Sequence, residues 1–243
     1  MPAQGVDSHP GGAPTIRGAL FVVGGGRATP PLLIHGRYEM SQPDLATTRT
    51  GPPQRSWRTV DIVVTAVLAV AFGVVFWAWG LLWNATNPAF TAFPPAQAFM
   101  YGIWLVPGVL AMLVVRKPGA AVFAMVLAST ISALLGSAWG TQVIWYGALE
   151  GLAPELVFLA LGYRRFTLPV VLTAAAAAGL TAFGLDWYFY YRDWSAGWLT
   201  VYAVVLTASS VVIAGLGSWL LVRRMAATGV LDALPSGQDR ERV

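Results

Sequence analysis

The chain has 243 residues, of which 56% are hydrophobic and only 11% charged, with a formal net charge of +4 and a mean hydropathy of +0.62. A soluble domain of this size needs far more charged surface, so the composition excludes that class and predicts one membrane-embedded domain. Cysteine is absent, which excludes a disulfide framework, a thiolate metal site and a cysteine nucleophile.

The first 56 residues are rich in Pro, Gly, Thr and Arg and show no sustained apolar period. We predict that residues 1–56 form a disordered cytoplasmic tail, in which Met40 is a candidate for the true start. Both histidines, His9 and His35, lie in this tail. The membrane part therefore lacks the residues for a His-ligated metal site or a Ser–His dyad.

Six apolar segments follow, each with the length needed to cross the hydrocarbon core of a bilayer. They cover residues 60–83, 98–115, 119–136, 141–161, 168–190 and 198–222. Turn-forming residues such as Asn87-Pro88 and Lys117-Pro118-Gly119 separate them. The sequence thus predicts an all-α integral membrane protein with six transmembrane helices within 57–225, followed by a cytoplasmic tail at 226–243.

Basic residues are concentrated on one side of the predicted bundle. If the six segments alternate in direction, eight basic residues lie on the same side: Arg55, Arg58, Arg116, Lys117, Arg164, Arg165, Arg223 and Arg224. The other side carries only Arg192, next to Asp193. Because Lys and Arg accumulate in cytoplasmic loops, both termini are predicted to lie in the cytoplasm of a cell whose membrane the chain crosses.

Aromatic residues show the opposite asymmetry. Nine of the eleven tryptophans, all but Trp57 and Trp219, fall in outer halves of segments or in outer loops. An interfacial aromatic belt is the ordinary interpretation, but both leaflets should share such a belt. The one-sided excess favours an outward-facing aromatic binding site.

Small residues mark faces on which helices can approach closely. Ala69 and Gly73 are four residues apart in the first segment, and the run 174–179 gives the fifth segment a smooth surface. We expect these faces to pack inside the bundle.

Ionisable side chains inside a bilayer are costly, so each one needs a reason. Three lie well within the predicted segments, namely Glu150, Glu155 and Asp186. Glu150 is the strongest candidate for function. Pro154 frees backbone groups beside Glu155, which leaves a structural role open for that residue. Asp61 stands at the start of the first segment, where an acid favours the helix N-terminus.

Polar and aromatic side chains form stripes near these acids. Gln142, Tyr146 and Glu150 share one face of the fourth segment, and Gln97, Tyr101 and Trp104 form a similar stripe on the second. The other candidate binding residues lie near the same outer side: Asn84, Trp139, Asp186, Tyr190 and Trp198. Rings stack and attract positive charge, and a carboxylate accepts from amino groups. The sequence therefore predicts a pocket for a planar, nitrogen-rich or cationic ligand.

Catalytic and nucleotide-binding motifs are missing from the chain. It contains no G-x-x-x-x-G-K-[ST], no H-E-x-x-H and no G-x-S-x-G. We therefore expect no ATP hydrolysis by this chain, no catalytic residues and no cofactor.

Three stretches carry a resemblance to a known family: Tyr101-Gly-Ile-Trp104, Arg116-Lys-Pro-Gly-Ala-Ala121 and residues 147–155. Over residues 57–225 the chain resembles the S components of energy-coupling factor (ECF) transporters, of the YkoE type. The resemblance implies a six-helix subunit that captures thiamine or its hydroxymethylpyrimidine precursor at the outer face. It also implies partners, namely a transmembrane T component and two cytoplasmic ATPases. Thiamine-binding S components generally hold the aminopyrimidine with a carboxylate and aromatic rings, but no individual contact is transferred.

Two other classes remain as alternatives. An integral membrane enzyme acting on a lipid or isoprenoid would need paired carboxylates in one cavity. Glu150 and Glu155 lie roughly 140° apart around a helix, which weighs against it. A purely structural membrane subunit would leave the outer aromatic excess unexplained.

Overall fold

The structure is a computed structural model, and it describes residues 56–228, 231 and 234–238. Within these residues the chain is helical and contains no β-strand, which confirms the predicted all-α class. The helices are α1 Thr59–Thr86, α2 Gly102–Val115, α3 Ala120–Leu134, α4 Gln142–Ala160, α5 Leu168–Phe189, α6 Ala196–Ala227 and a short α7, Pro235–Gln238. Two 3₁₀ segments, Asn87–Phe90 and Pro94–Met100, join α1 to α2, and the middle of α6 is π-helical over Ser210–Gly217.

Five of the helical stretches are long and apolar enough to cross a membrane. The exception is α3, whose 15 residues extend about 22 Å against a hydrocarbon core of about 30 Å. The prediction that this segment, like the other five, forms a helix long enough to cross the membrane is therefore wrong. It ends early because turns follow, with positive φ at Gly136 (88°) and Gly140 (59°).

The centre of the bundle is α2. The apolar membrane-spanning stretch that contains α2 is 83% buried inside the protein, whereas the corresponding stretches of the other four long helices are 28–39% buried. The sequence of α2 is apolar on every side, as expected of a helix surrounded by other helices. By contrast, α1 turns residues such as Val67 and Leu81 away from the bundle. Such a surface suits lipid or another membrane subunit.

Glycines bring α3 close to both of its neighbours. A Cβ on Gly73 of α1 would lie 2.5 Å from Ile131, and a Cβ on Gly147 of α4 would overlap the hydroxyl of Ser129. On α5, Ala174 and Ala178 are fully buried. The small-residue faces of the first and fifth segments thus pack inside the bundle, as predicted.

One end of the bundle, here called the basic end, holds Trp57 and the turns at 116–119 and 162–167. Its main polar anchor is Glu155, which accepts hydrogen bonds from the backbone N–H of Gly119 (2.6 Å), the N–H of Ala121 (3.1 Å) and the hydroxyl of Tyr163 (2.7 Å). Glu155 therefore satisfies amide groups at the start of α3, which is a structural role. Glu150 contacts a different helix, so the two glutamates do not share a face, as predicted.

A second set of contacts at the basic end surrounds Asp61. Its carboxylate accepts from the backbone N–H of Arg58 at 3.0 Å, and the Lys117 ammonium lies 3.9 Å away. Trp57 donates its indole N–H to the carbonyl of Pro118 at 3.0 Å. The 116–121 run, the most specific part of the family resemblance, thus joins the starts of α1 and α3 to the ends of α2 and α4.

The predicted N-terminal tail lies outside the described residues except for Ser56. In the predicted C-terminal tail, Leu231 and Leu234 are buried. Ser236 donates its hydroxyl to the carbonyl of Val114 at 3.0 Å. This described part of the tail therefore packs against the end of α2.

Candidate functional site

A cavity of about 400 Å³ opens at the end of the bundle opposite the basic end. Its size is typical of sites for small organic ligands. The lining residues come from α1 to α5 and their connections: Phe76, Trp83, Asn84, Asn87, Tyr101, Trp104, Ser129, Ser132, Ser137, Trp139, Gln142, Val143, Tyr146, Glu150, Asp186, Tyr190 and Tyr191.

Hydroxyl groups line the cavity on its α3 side. Beyond Leu134 the chain turns back toward α4, and α3 presents the hydroxyl side chains of Ser129 and Ser132 to the cavity. Trp139, from the turn that follows, leans on α1 beside Gly80, where a Cβ would lie 3.0 Å from the indole ring.

Four rings form an aromatic wall on the α1–α2 side. Trp104 lies at the middle of this wall, with ring centroids 5.2 Å from Trp83, 5.3 Å from Tyr101 and 5.6 Å from Trp139. These spacings are those of tilted and edge-to-face aromatic pairs. The wall offers a flat ligand ring both stacking surfaces and edges.

Glu150 is buried and faces this wall. The hydroxyl of Tyr101 donates to Glu150 Oε1 at 2.7 Å. Among the described residues, nothing donates to the second oxygen, Oε2. A carboxylate can accept several hydrogen bonds, so Glu150 keeps capacity for a donor that enters the cavity.

A second buried carboxylate, Asp186, lines the same cavity from α5. The hydroxyl of Tyr202 on α6 donates to its Oδ2 at 2.6 Å. Neither acid forms a salt bridge within the described part of the chain, where the recorded salt bridges involve Asp61. Two carboxyl groups beside aromatic rings make the cavity attractive to amino groups and to organic cations.

Three tyrosines line the cavity on its α4–α5 side. Gln142 donates its amide N–H to the Tyr190 hydroxyl at 2.7 Å, which joins the start of α4 to the end of α5. Burial, with a further contribution from Asp186, raises the pKa of the Tyr191 phenol to about 12, and burial also raises the pKa of Tyr190. Both groups therefore stay protonated near neutral pH. The third, Tyr146, is 8% exposed, and its ring centroid lies 6.5 Å from that of Tyr190.

The structure brings nine of the eleven predicted binding residues to this cavity: Glu150, Tyr146, Gln142, Tyr101, Trp104, Asn84, Trp139, Asp186 and Tyr190. Gln97 and Trp198 lie outside the lining. Gln97 donates to the carbonyl of Trp83 at 2.8 Å and so supports the aromatic wall. Trp198 packs on Trp194, which in turn stacks on Tyr191. That the nine residues contact a ligand remains a prediction.

Several lining residues escaped the sequence-based prediction. Phe76 and Trp83 are seven residues apart, and this helical spacing alone places them on one face of α1. Ser129 and Ser132 share a face of α3 in the same way. Val143 carries no comparable signal.

The fold and the cavity define a class, a helical membrane protein with a cavity of small-molecule size near one end. Comparison with known proteins identifies the family. A family model described as "ABC-type cobalt transport system, permease component" matches residues 60–181. YkoE of Bacillus subtilis (strain 168), for which an HMP/thiamine permease function is proposed, is 32% identical over 77% of this chain and 94% of its own length.

A solved structure gives the same result. A chain described as an S-component of an ECF transporter is similar to this one with a TM-score of 0.73 and 32% identity, covering 77% of this chain and 94% of that chain. The chain therefore belongs to the S components of ECF transporters, as the sequence motifs indicated. This is a family of transporter subunits, so the chain is not an enzyme, and the membrane-enzyme alternative is excluded.

Proposed function

We propose that this chain captures thiamine or its hydroxymethylpyrimidine (HMP) precursor in the cavity and passes it inward as part of an ATP-driven uptake system. The carrying observation is Glu150, a buried carboxylate that lines the cavity, with one oxygen hydrogen-bonded to Tyr101 and no described donor on the other. The 32% identity to a relative with a proposed HMP/thiamine permease function supports the same ligand class.

The chemistry of the cavity matches an aminopyrimidine. Its exocyclic amine would donate to Glu150, which offsets the cost of a carboxylate at this depth. Its ring would lie against Trp104 and the neighbouring rings. In thiamine, the positively charged thiazolium ring would be attracted by Asp186 and by the faces of the surrounding rings.

Orientation follows from charge. Helices α1 to α6 would all cross the cytoplasmic membrane, and the turns on either side of the short α3 would supply the rest of its crossing. The basic end, with Arg116, Arg164 and their neighbours, would face the cytoplasm. Both termini would then be cytoplasmic, with residues 1–56 and 226–243 as tails around the 57–225 membrane domain. The cavity would open to the outside, where nutrient is captured.

Partners follow from the missing P-loop. A chain without a nucleotide-binding motif needs another source of energy for concentrative uptake. Membership of the ECF family supports a transmembrane T component and two cytoplasmic ATPase subunits as that source.

Cobalt, which the description of the family model names, is a second candidate substrate. Divalent first-row metals bind favourably to sites rich in imidazole or thiolate. The described residues contain no group of three or more His, Cys, Asp or Glu side chains that could hold a metal ion. The cavity chemistry therefore supports an organic ligand better than a metal ion.

Direct binding tests the proposal. Native mass spectrometry of gently purified protein would show a co-purified ligand. Titration of the emptied protein with thiamine, HMP and Co²⁺, followed by tryptophan fluorescence, should give saturable binding of one vitamin molecule per chain. Failure of both thiamine and HMP to bind at up to about 1 mM would overturn the proposal, because such weak binding could not capture a scarce nutrient.

A further inference from the structure

Ser209 on α6 binds the backbone on both sides of Tyr101, although Ser209 itself does not line the cavity. Its hydroxyl donates to the carbonyl of Phe99 at 2.6 Å and accepts from the backbone N–H of Gly102 at 3.1 Å. Ser209 is buried, so these bonds form where little water competes for them. One side chain therefore holds the chain just before Tyr101 and just after it.

The contact between Ser209 and Gly102 is close. A Cβ on Gly102 would lie 2.6 Å from the carbonyl oxygen of Ser209 and 2.7 Å from its hydroxyl oxygen, so a side chain at Gly102 would push the two segments apart. Tyr101 is the residue before α2, and its side chain does not cap that helix. Because the first N–H groups of a helix lack partners within the helix, Ser209 supplies a cap for α2 from α6.

A second bond holds the same segment from α1. The indole N–H of Trp79 donates to the carbonyl of Met100 at 2.9 Å. The backbone around Tyr101 is thus tied both to α1 and to α6. These ties fix the position of the Tyr101 phenol, whose hydroxyl donates to Glu150 Oε1 at 2.7 Å. A shift of about 1 Å would take that bond beyond hydrogen-bonding distance.

We propose that Ser209 is a positioning residue for ligand binding, because it holds Tyr101 where the phenol keeps the Glu150 carboxyl group aligned with the cavity. Helix α6 then contributes to affinity, although the lining residues come from α1 to α5 and their connections. A binding group that is already held in place loses less freedom when the ligand arrives. The inference rests on the proposed function, because it concerns ligand affinity in the same cavity.

The test is a double-mutant cycle on ligand affinity, with Ser209→Ala and Tyr101→Phe made singly and together. Ser210→Ala is the matched control, because Ser210 is also buried but its hydroxyl donates to Leu206 within its own helix at 2.8 Å. Thiamine and HMP are titrated against each protein, with melting temperatures to confirm folding. If Ser209→Ala does not fold, Ser209→Cys takes its place, since a thiol keeps the shape and weakens both hydrogen bonds.

Ser209→Ala should weaken the binding of thiamine and HMP about threefold to tenfold, whereas Ser210→Ala should leave both affinities unchanged. In the Tyr101→Phe background, Ser209→Ala should cause no further loss, because the bond through which Ser209 acts is already absent. Wild-type affinity in folded Ser209→Ala, or the same loss in both backgrounds, overturns the inference and leaves the proposed function standing.

A ligand-free measurement separates the inference from the proposed function. The infrared bands of the Glu150 carboxyl group, assigned by subtracting the spectrum of Glu150→Gln, report the bond from Tyr101. Ser209→Ala should shift these bands in the same direction as Tyr101→Phe, and Ser210→Ala should leave them in place. If neither vitamin binds the wild type, the proposed function fails, and the infrared shift alone decides the inference: unshifted bands in Ser209→Ala overturn it.

Discussion

Tyr101, which immediately precedes α2, donates its hydroxyl to Glu150 on α4 at 2.7 Å, at a sequence separation of 49 residues. This bond joins the aromatic wall to the face of α4 that carries Gln142, Tyr146 and Glu150. It also stabilises an acid that would otherwise be costly inside a membrane protein. The same arrangement recurs where Tyr202 donates to Asp186, so each cavity acid is held by one tyrosine.

Glu155 should govern folding stability and leave ligand binding almost unchanged. Its carboxylate accepts three hydrogen bonds at the basic end, away from the cavity. Glu155→Ala should lower the free energy of unfolding by about 2–5 kcal/mol, because two amide N–H groups and a hydroxyl lose their acceptor. The Gln variant keeps one acceptor and should lose less. Thermal unfolding in detergent measures both, and a melting temperature for Glu155→Ala equal to that of wild type would contradict the assigned role.

Gly147 should resist even the smallest enlargement. A Cβ there would overlap the Ser129 hydroxyl and lie 3.0 Å from the carbonyl of Met125, so α3 and α4 would have to separate. Gly147→Ala should destabilise the fold by about 1–3 kcal/mol. Gly184→Ala on α5 is the matched control, because its Cβ would meet no atom within 4 Å, and it should be neutral or slightly stabilising. Equal melting temperatures for the two variants would show that the close α3–α4 approach is not required.

Membrane orientation can be tested by labelling single introduced cysteines, because the chain has no native cysteine that would also react. A cysteine at exposed Arg164 should resist an impermeant thiol reagent in intact cells, since the basic end is predicted to be cytoplasmic. A cysteine at exposed Asp193, at the opposite end, should react rapidly. The reverse pattern would invert the proposed topology and place the cavity on the cytoplasmic side.

Energy coupling should require other subunits. Liposomes that contain this chain alone, with no ion gradient, should bind thiamine but fail to concentrate it, because no nucleotide-binding motif is present. Adding the T component and ATPases with ATP should produce uptake. Concentrative uptake by the isolated chain under these conditions would disprove the need for partners.

The helices were predictable because apolar runs and turn residues mark them clearly. The ends of the helices are harder to predict: α6 continues to Ala227, whereas the sixth segment is predicted to end at residue 222. The prediction that Gln97 lines the cavity depends on α-helical spacing to Tyr101. The segment Pro94–Met100 is instead 3₁₀-helical, with three residues per turn, so a four-residue step does not keep the two side chains on one face.

The length of α3 and the pairing of the cavity acids could not be inferred from one sequence. α3 ends at Leu134, and a helix that is shorter by a few residues is hard to recognise in an apolar run. The Tyr202–Asp186 and Tyr101–Glu150 bonds depend on how helices pack, which no local period encodes. Glu150, Tyr146 and Gln142 were predictable together because a single helix sets their spacing.

Ligand affinity of the Glu150 variants tests the central claim most directly. Thiamine and HMP are titrated against folded wild type, Glu150→Ala and Glu150→Gln, with tryptophan fluorescence as the signal and Glu155→Gln as a buried-glutamate control outside the cavity. Loss of a charged hydrogen bond costs about 1.5–3 kcal/mol, so Glu150→Ala should bind at least about tenfold more weakly, and Glu150→Gln should lose less. A folded Glu150→Ala protein that binds both ligands as tightly as wild type would show that Glu150 serves only to join α2 to α4.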